Sequence, residues 1–180
     1  MGNYLVKKFE LEGHLILKHM GRMDKDLSLT KQTLELAELA REFGVNMLIN
    51  NAAIVCPNMY LNEYNVDMIE DMINVDLTAP ILLTNSLLPN LKKIININSM
   101  VGLEIKSPRT LYSATKWGLR GFSNSLKKEN SNIDILDVYP TNIKTTPDKI
   151  NAMNVEEVVD KIYNAFDNNL KDLVLDGRPK

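Results

Sequence analysis

Ser99, Tyr112 and Lys116 are the residues whose types and spacing could carry chemistry. An apolar run of strand character, Ile94-Ile95-Asn96-Ile97-Asn98, ends at Ser99; Tyr112 follows thirteen residues later and Lys116 four after that. Four residues is about one helical turn, so the phenol and the ammonium share a face. A free tyrosine titrates near ~10, and a neighbouring cation favours the phenolate and brings that value toward the working range. A hydroxyl at the end of the preceding strand could hydrogen-bond a substrate oxygen as charge develops on it. Together these groups describe proton exchange at a carbonyl or an alcohol. The spacing alone is unspecific, because Tyr4 and Lys8 repeat it. That copy has no room for an upstream strand and serine and reads as the solvated face of a helix.

The elements that must position these groups follow from periodicity. Residues 3–12 read as a helix stopped by Gly13. Residues 14–19 read as a strand leading to Gly21-Arg22, with a second, very short strand before Asp26-Leu27-Ser28. On a strand, His14 and His19 fall on opposite faces, so no metal site is expected. Ser28 or Thr30 is expected to cap a helix over 31–43, ended by Gly44. A buried strand over 45–50 is followed by Asn51-Ala52-Ala53. A long helical segment over 67–91 is interrupted by Pro80, where a kink is expected. Then come a strand over 92–98, the helix of Tyr112 over 109–129, a strand over 133–139 halted by Pro140, a helix over 155–166 and a last strand over 172–175. Gly118 and Gly121 suggest close packing of the Tyr112 helix.

Alternating strands and helices predict an α/β fold: a doubly wound parallel sheet, Rossmann-like, in three α/β/α layers, as one domain over 1–180. Ligands of such sheets bind beyond the carboxyl ends of the strands. Asn51, Ser99 and Pro140 each sit just past a predicted strand end.

Composition narrows the function classes. The chain has 180 residues, 44% hydrophobic and 24% charged, as an ordinary globular domain does, and a formal net charge of −2. That charge gives no electrostatic reason to expect nucleic acid or an anionic membrane. No apolar run approaches the ~18 to 20 residues that span a bilayer. The start lacks the layout of a signal peptide, and Val6 stands where a myristoylation signal needs Ser or Thr. Cys56 is the only cysteine, which rules out an internal disulfide and a thiolate cluster. The expectation is a cytoplasmic protein. Asp67, Glu70 and Asp71 share a helix face that reads as solvated.

These residues resemble the short-chain dehydrogenase/reductase family over nearly the whole chain. Asn50-Asn51-Ala52-Ala53 is similar to the family's N-N-A-G, which lies against the cofactor's adenosine side. Asn74 stands where the family keeps an active-site asparagine supporting a proton relay. Ser99, Tyr112 and Lys116 keep the family's order and spacing. Residues 139–145 resemble P-G-x-I/V-x-T, placing Ile143 and Thr145 at the nicotinamide carboxamide. Asp26-Leu27 matches the acidic pair that touches adenine. The resemblance implies a carbonyl–alcohol oxidoreductase using a nicotinamide cofactor. Tyr112 would exchange the proton and Ser99 would orient the substrate oxygen. Lys116 would bind the nicotinamide ribose and lower the tyrosine pKa. Arg22 could pair with a 2′-phosphate, favouring NADP(H) over NAD(H).

The front departs from the pattern. Met1-Gly2 lands where the last two letters of the family's T-G-x-x-x-G-x-G belong, so the expectation is either a chain without the first strand and most of the glycine-rich loop that holds the pyrophosphate, or a sequence whose given start is late. Without that central strand, residues 14–19 are expected to move beside 45–50 and pair with them directly. Ala53 and Thr141 replace glycines where backbone approaches cofactor. Two readings therefore stand. One is an oxidoreductase acting on a small carbonyl or alcohol. The other is a non-catalytic relic used as a binding or dimerisation scaffold. The family's dimers form through two long helices, here 67–91 and 109–129; Leu119, Phe122 and Leu126 read either as interface candidates or as core-packing residues. A short connection after Thr145 implies an open, shallow site.

Overall fold

The computed structural model describes residues 1–19, 21–55, 58–144 and 152–178. Apolar runs at 47–50, 93–97, 134–140 and 172–175 become the strands of one parallel sheet. They are β1 (Met47–Asn50), β2 (Lys93–Ile97), β3 (Asp134–Pro140) and, after two short strands, β6 (Asp172–Leu175), in the order β1-β2-β3-β6. β4 (Ile143–Lys144) and β5 (Met153–Asn154) form a separate parallel pair. The helices are α1 (Gly2–Leu11), α2 (Thr30–Glu42), α3 (Val66–Ile73), α4 (Ala79–Leu87), α5 (Thr110–Glu129) and α6 (Val155–Asp167).

Strand alternation divides the apolar residues between two layers. Ile95, Ile97, Leu136 and Val138 pack on one face with Leu5 and Phe9 of α1 and Val158, Val159 and Ile162 of α6. Ile94 and Ile135 pack on the other with Ala40, Leu87, Leu91 and Leu126. The fold is thus the three-layer, Rossmann-like arrangement expected. On the second face the alternation also places Asn50, Asn96 and Asp137 side by side across three strands. They are joined there: Asn50 Nδ2 donates to Asn96 Oδ1 at 2.8 Å, and Asn96 Nδ2 to Asp137 Oδ1 at 3.1 Å. From α5, Ser123 Oγ and Lys127 Nζ reach Asp137 Oδ2 at 2.6 and 2.7 Å.

Several expectations are corrected. Residues 14–19 form no strand and do not pair with β1; an open slot separates the two. A strand is stabilised by its ladder, and this segment has no neighbour within reach. Among the described residues no strand precedes Asp26 either, and the chain makes a turn at 22–24. His14 packs instead in an aromatic cluster with Phe9 (ring centroids 5.3 Å apart) and Phe166 (5.9 Å). Neither Ser28 nor Thr30 caps α2: the N-cap is Leu29, and the Ser28 amide donates to Asp26 Oδ1. The long helix over 67–91 stays helical through 66–87 but contains a π-turn, Asn74–Thr78, and Pro80 is the second residue of the α-helical stretch that follows, within its first turn, where a proline is tolerated. Pro140 ends β3 within the strand instead of beyond it. Gly118 lies against Leu77 as its spacing suggests, but Gly121 faces open space. Leu119 and Leu126 are buried in the core and Phe122 is partly buried against it, which agrees with the core-packing reading of these residues. Among the described residues no helix is long and apolar enough to cross a membrane.

Candidate active site

β2 carries the chain to Ser99, whose extended backbone caps a short 3₁₀ turn, Met100–Gly102, with its Oγ accepting from the Val101 amide at 3.3 Å. Asn98 fixes this corner. Its Oδ1 accepts from the Ser99 amide at 2.9 Å, and its Nδ2 donates to the Lys116 carbonyl at 3.2 Å. The turn and α5 meet so closely that a Cβ on Gly102 would stand 2.6 Å from Asn98 Oδ1 and 3.1 Å from the Lys116 carbonyl oxygen. Gly102 is thus the residue that lets the serine corner approach the tyrosine helix.

On α5, Tyr112 and Lys116 are one turn apart, and both are buried. The Lys116 ammonium lies 5.4 Å from the centre of the Tyr112 ring. Its ion-pair partner is Asp76 in the π-turn, with Nζ 3.3 Å from Oδ2 and the two side chains 2% and 0% exposed. Asp76 Oδ1 accepts from the Ile54 amide at 2.7 Å, tying the loop after β1 to the same cation. Burial pushes the Asp76 carboxyl up, while Lys116 and the Ile54 amide pull it back. Burial wins because a carboxylate without water loses more than one pair returns.

Ser99, Tyr112, Lys116, Asn51 and Ile143 line one cleft of about 340 Å³, with Pro140 and Thr141 on its far wall. Its position beyond the carboxyl ends of β1, β2 and β3 is the one the parallel sheet favours. Thr141 Oγ1 bonds the Leu175 carbonyl and the Gly177 amide, anchoring that wall to the end of β6. The mouth is charged. Arg178 grips Glu104 through both terminal nitrogens at 2.8 and 3.0 Å. The same guanidinium holds Asp176 down at about 2 and keeps Glu104 below the usual carboxylate range.

The other residues singled out in the sequence lie elsewhere. Asn74 sits in the π-turn and donates from Nδ2 to the Ser28 carbonyl at 3.0 Å, away from the cleft lining. Ala52 and Leu27 border the slot beside β1. Arg22 is engaged by Asp71 at 2.5 Å and Asp26 at 3.5 Å. Asp26 is held below its ordinary range, first by the Ser28 amide. Thr145 lies outside the described residues. Sequence reasoning missed Asp76, Asn98 and Arg178. Asp76 did leave a signal, a lone carboxylate inside the apolar stretch 72–83.

A family model described as short chain dehydrogenase matches residues 18–155. The mouse dehydrogenase/reductase SDR family member 7 is 31% identical over 140 residues, 73% of this chain and 40% of that protein. The 3-oxoacyl-(acyl-carrier-protein) reductase of Aquifex aeolicus is 36% identical over 125 residues, 66% of this chain and 49% of its own length. The chain thus spans about half the length of the curated relatives it matches. Among solved structures, the bulky-bulky ketone specific alcohol dehydrogenase of Comamonas testosteroni aligns with a TM-score of 0.76 at 26% identity. That alignment covers 84% of this chain and 63% of that one. A short-chain dehydrogenase from Sphingobium yanoikuyae in complex with NADPH aligns with a TM-score of 0.74 at 25% identity, covering 83% and 65%. With the parallel sheet and its rim cleft, these matches establish that the chain belongs to the short-chain dehydrogenase family.

Proposed function

We propose that the cleft at the end of β2 interconverts a carbonyl and an alcohol with a nicotinamide dinucleotide, with Ser99, Tyr112 and Lys116 as its working groups. The observation that carries this reading is their convergence: Ser99, Tyr112 and the buried Lys116 all line one 340 Å³ cleft. The dinucleotide, when bound, supplies or accepts the hydride. Residues at the nicotinamide end fit such a group: Ile143 and Thr141 offer a wall, and Lys116 brings a cation whose partner oxygen, Asp76 Oδ2, accepts no hydrogen bond.

Tyr112 holds the proton that moves to or from the substrate oxygen. Ser99 donates a hydrogen bond to the same oxygen, and Lys116 keeps positive charge beside the phenol ring. Asn51 lies on the cleft wall, where it would contact the cofactor. Asn74 would join through water only, since its amide is already committed to Ser28. Arg22, Asp26, Leu27, Ala52 and Thr145 remain the proposed contacts toward adenosine and carboxamide. Preference for NADP(H) over NAD(H) rests on Arg22, and a 2′-phosphate must take its guanidinium from Asp71. NADPH fluorescence titrated with the chain tests the reading. Saturable binding that Lys116→Ala weakens at least tenfold supports it, and absence of saturation at millimolar cofactor rejects it.

A further inference from the structure

Ser99, Tyr112 and Lys116 account for only part of the cleft lining at the end of β2. The same lining carries charge that proton exchange does not use, on Glu104, Lys106, Arg109 and Arg178. The chain as a whole has a formal net charge of −2, yet cations outnumber carboxylates around this one opening. A rim of one sign draws in a ligand of the other.

Pairing decides which of that charge is left over. Arg178 grips Glu104 through both terminal nitrogens and holds Asp176 at 2.6 Å, so its charge is answered within the protein. The Lys116 ammonium is matched by Asp76. Lys106 and Arg109 have no carboxylate at ion-pair distance among the described residues. The surplus at the rim is therefore positive, and it resides on these two side chains.

Arg109 is also held in place. Its Nε donates to Asn58 Oδ1 at 2.7 Å, which fixes a half-buried side chain. The two terminal nitrogens, the edge that forks onto a planar anion, have no hydrogen-bond partner among the described residues. The guanidinium carbon lies 6.0 Å from the centre of the Tyr112 ring. A small molecule gripped by one end on that edge brings its next few atoms to the phenol. Lys106 is exposed beside it and adds charge without fixing a direction.

From this we infer that the cleft takes a short oxo acid, or the hydroxy acid that is its reduced form, with the carboxylate on the Arg109 guanidinium beside Lys106 and the carbonyl oxygen at Tyr112 and Ser99. The inference rests on the carbonyl–alcohol reading proposed above and names its substrate class. Reduction adds the hydride of the reduced dinucleotide to the carbonyl carbon and the Tyr112 proton to its oxygen, and the carboxylate keeps its charge throughout. A phosphate of the dinucleotide is the other anion that the same edge could take, and the test separates the two.

The probes are 2-oxobutanoate, 3-oxobutanoate and 4-oxopentanoate, each paired with its methyl ester, which removes the charge and keeps the carbonyl. With NADPH, the parent should show a kcat/KM for at least one acid about tenfold or more above that of its ester. Arg109→Gln should lower that acid-to-ester ratio at least about tenfold, chiefly through KM, and Arg109→Lys, which keeps the charge and loses the fork, should recover part of it. Calorimetry reads the same contact without turnover: the preferred acid should bind the parent, and Arg109→Gln should weaken it by about the same factor. Absence of acid binding overturns the inference. Equal values for acid and ester in the parent overturn it too and leave the carbonyl–alcohol reading standing. Acid binding that depends on Arg109, without turnover of any probe, does the reverse. Weaker NADPH and NADH binding in Arg109→Gln, with the acid-to-ester ratio unmoved, assigns the edge to a cofactor phosphate and makes the proposed occupant wrong. Equal losses for acid and ester mark a structural role for Arg109 and likewise overturn the inference.

Discussion

Replacing Lys116 by methionine keeps the length of the side chain and removes its charge, leaving Asp76 as a buried carboxylate with the Ile54 amide as its remaining partner. At 3.3 Å the gross attraction is about 5 kcal/mol for an effective dielectric near 20. Desolvation of both ions offsets most of that, yet removing one partner of a buried pair typically costs about 3 to 5 kcal/mol. The cost must depend on pH. Burial already holds the Asp76 carboxyl above its ordinary value, and loss of Lys116 removes one of the two groups pulling it down. A group that binds its proton more tightly when folded loses stability as pH rises from its unfolded value, ~3.9, through its folded one. Urea unfolding of the parent, Lys116→Met, Asp76→Asn and the double variant should be measured at pH 5 and pH 8. The Lys116→Met penalty should grow toward pH 8, and the double variant should recover about 2 to 3 kcal/mol of it, because an amide can stay neutral in that pocket. A penalty that is flat with pH, or a coupling below about 0.5 kcal/mol, would show that the two groups do not act as a pair.

Three further outcomes follow from the same geometry. Lys127→Met strips the cation from Asp137, which is fully buried, and should destabilise the fold by about 3 kcal/mol in urea; a change below about 0.5 kcal/mol would mean Ser123 and Asn96 suffice. Gly102→Ala forces a methyl against Asn98 and the Lys116 carbonyl; a cost of about 1 to 3 kcal/mol in thermal unfolding is expected, and a neutral result would place the serine corner farther from α5. Asp71→Asn releases Arg22 and should raise the preference for NADPH over NADH a few-fold in binding titrations; an unchanged ratio would remove Arg22 from the cofactor site.

How far the sequence could be read depended on whether an element's stability was local. The apolar runs 94–97 and 135–138 and the periodic helices appear where expected, because both faces of the strands and one face of each helix are buried within the chain itself. Residues 14–19 have the same apolar character but no neighbour to pair with, and propensity without a ladder did not make a strand. An irregularity near Pro80 was legible; the π-turn was not, since that geometry serves to turn Asp76 inward toward a lysine forty residues away. Ser99, Tyr112 and Lys116 could be picked out because they sit on two consecutive elements. Arg178 could not, because its partner Glu104 is 74 residues distant and nothing in either neighbourhood marks the pair. Asn96 and Asp137 carried a signal that alternation exposes: polar residues on an otherwise apolar strand face, at paired register positions.

The most direct test replaces one oxygen atom. With a panel of ketones and aldehydes, the parent should consume NADPH, and Tyr112→Phe should do so about 100- to 10,000-fold more slowly while binding the cofactor equally well. Equal rates in the two proteins, or no turnover by the parent with cofactor bound, would contradict the assignment of the phenol as the group that moves the proton.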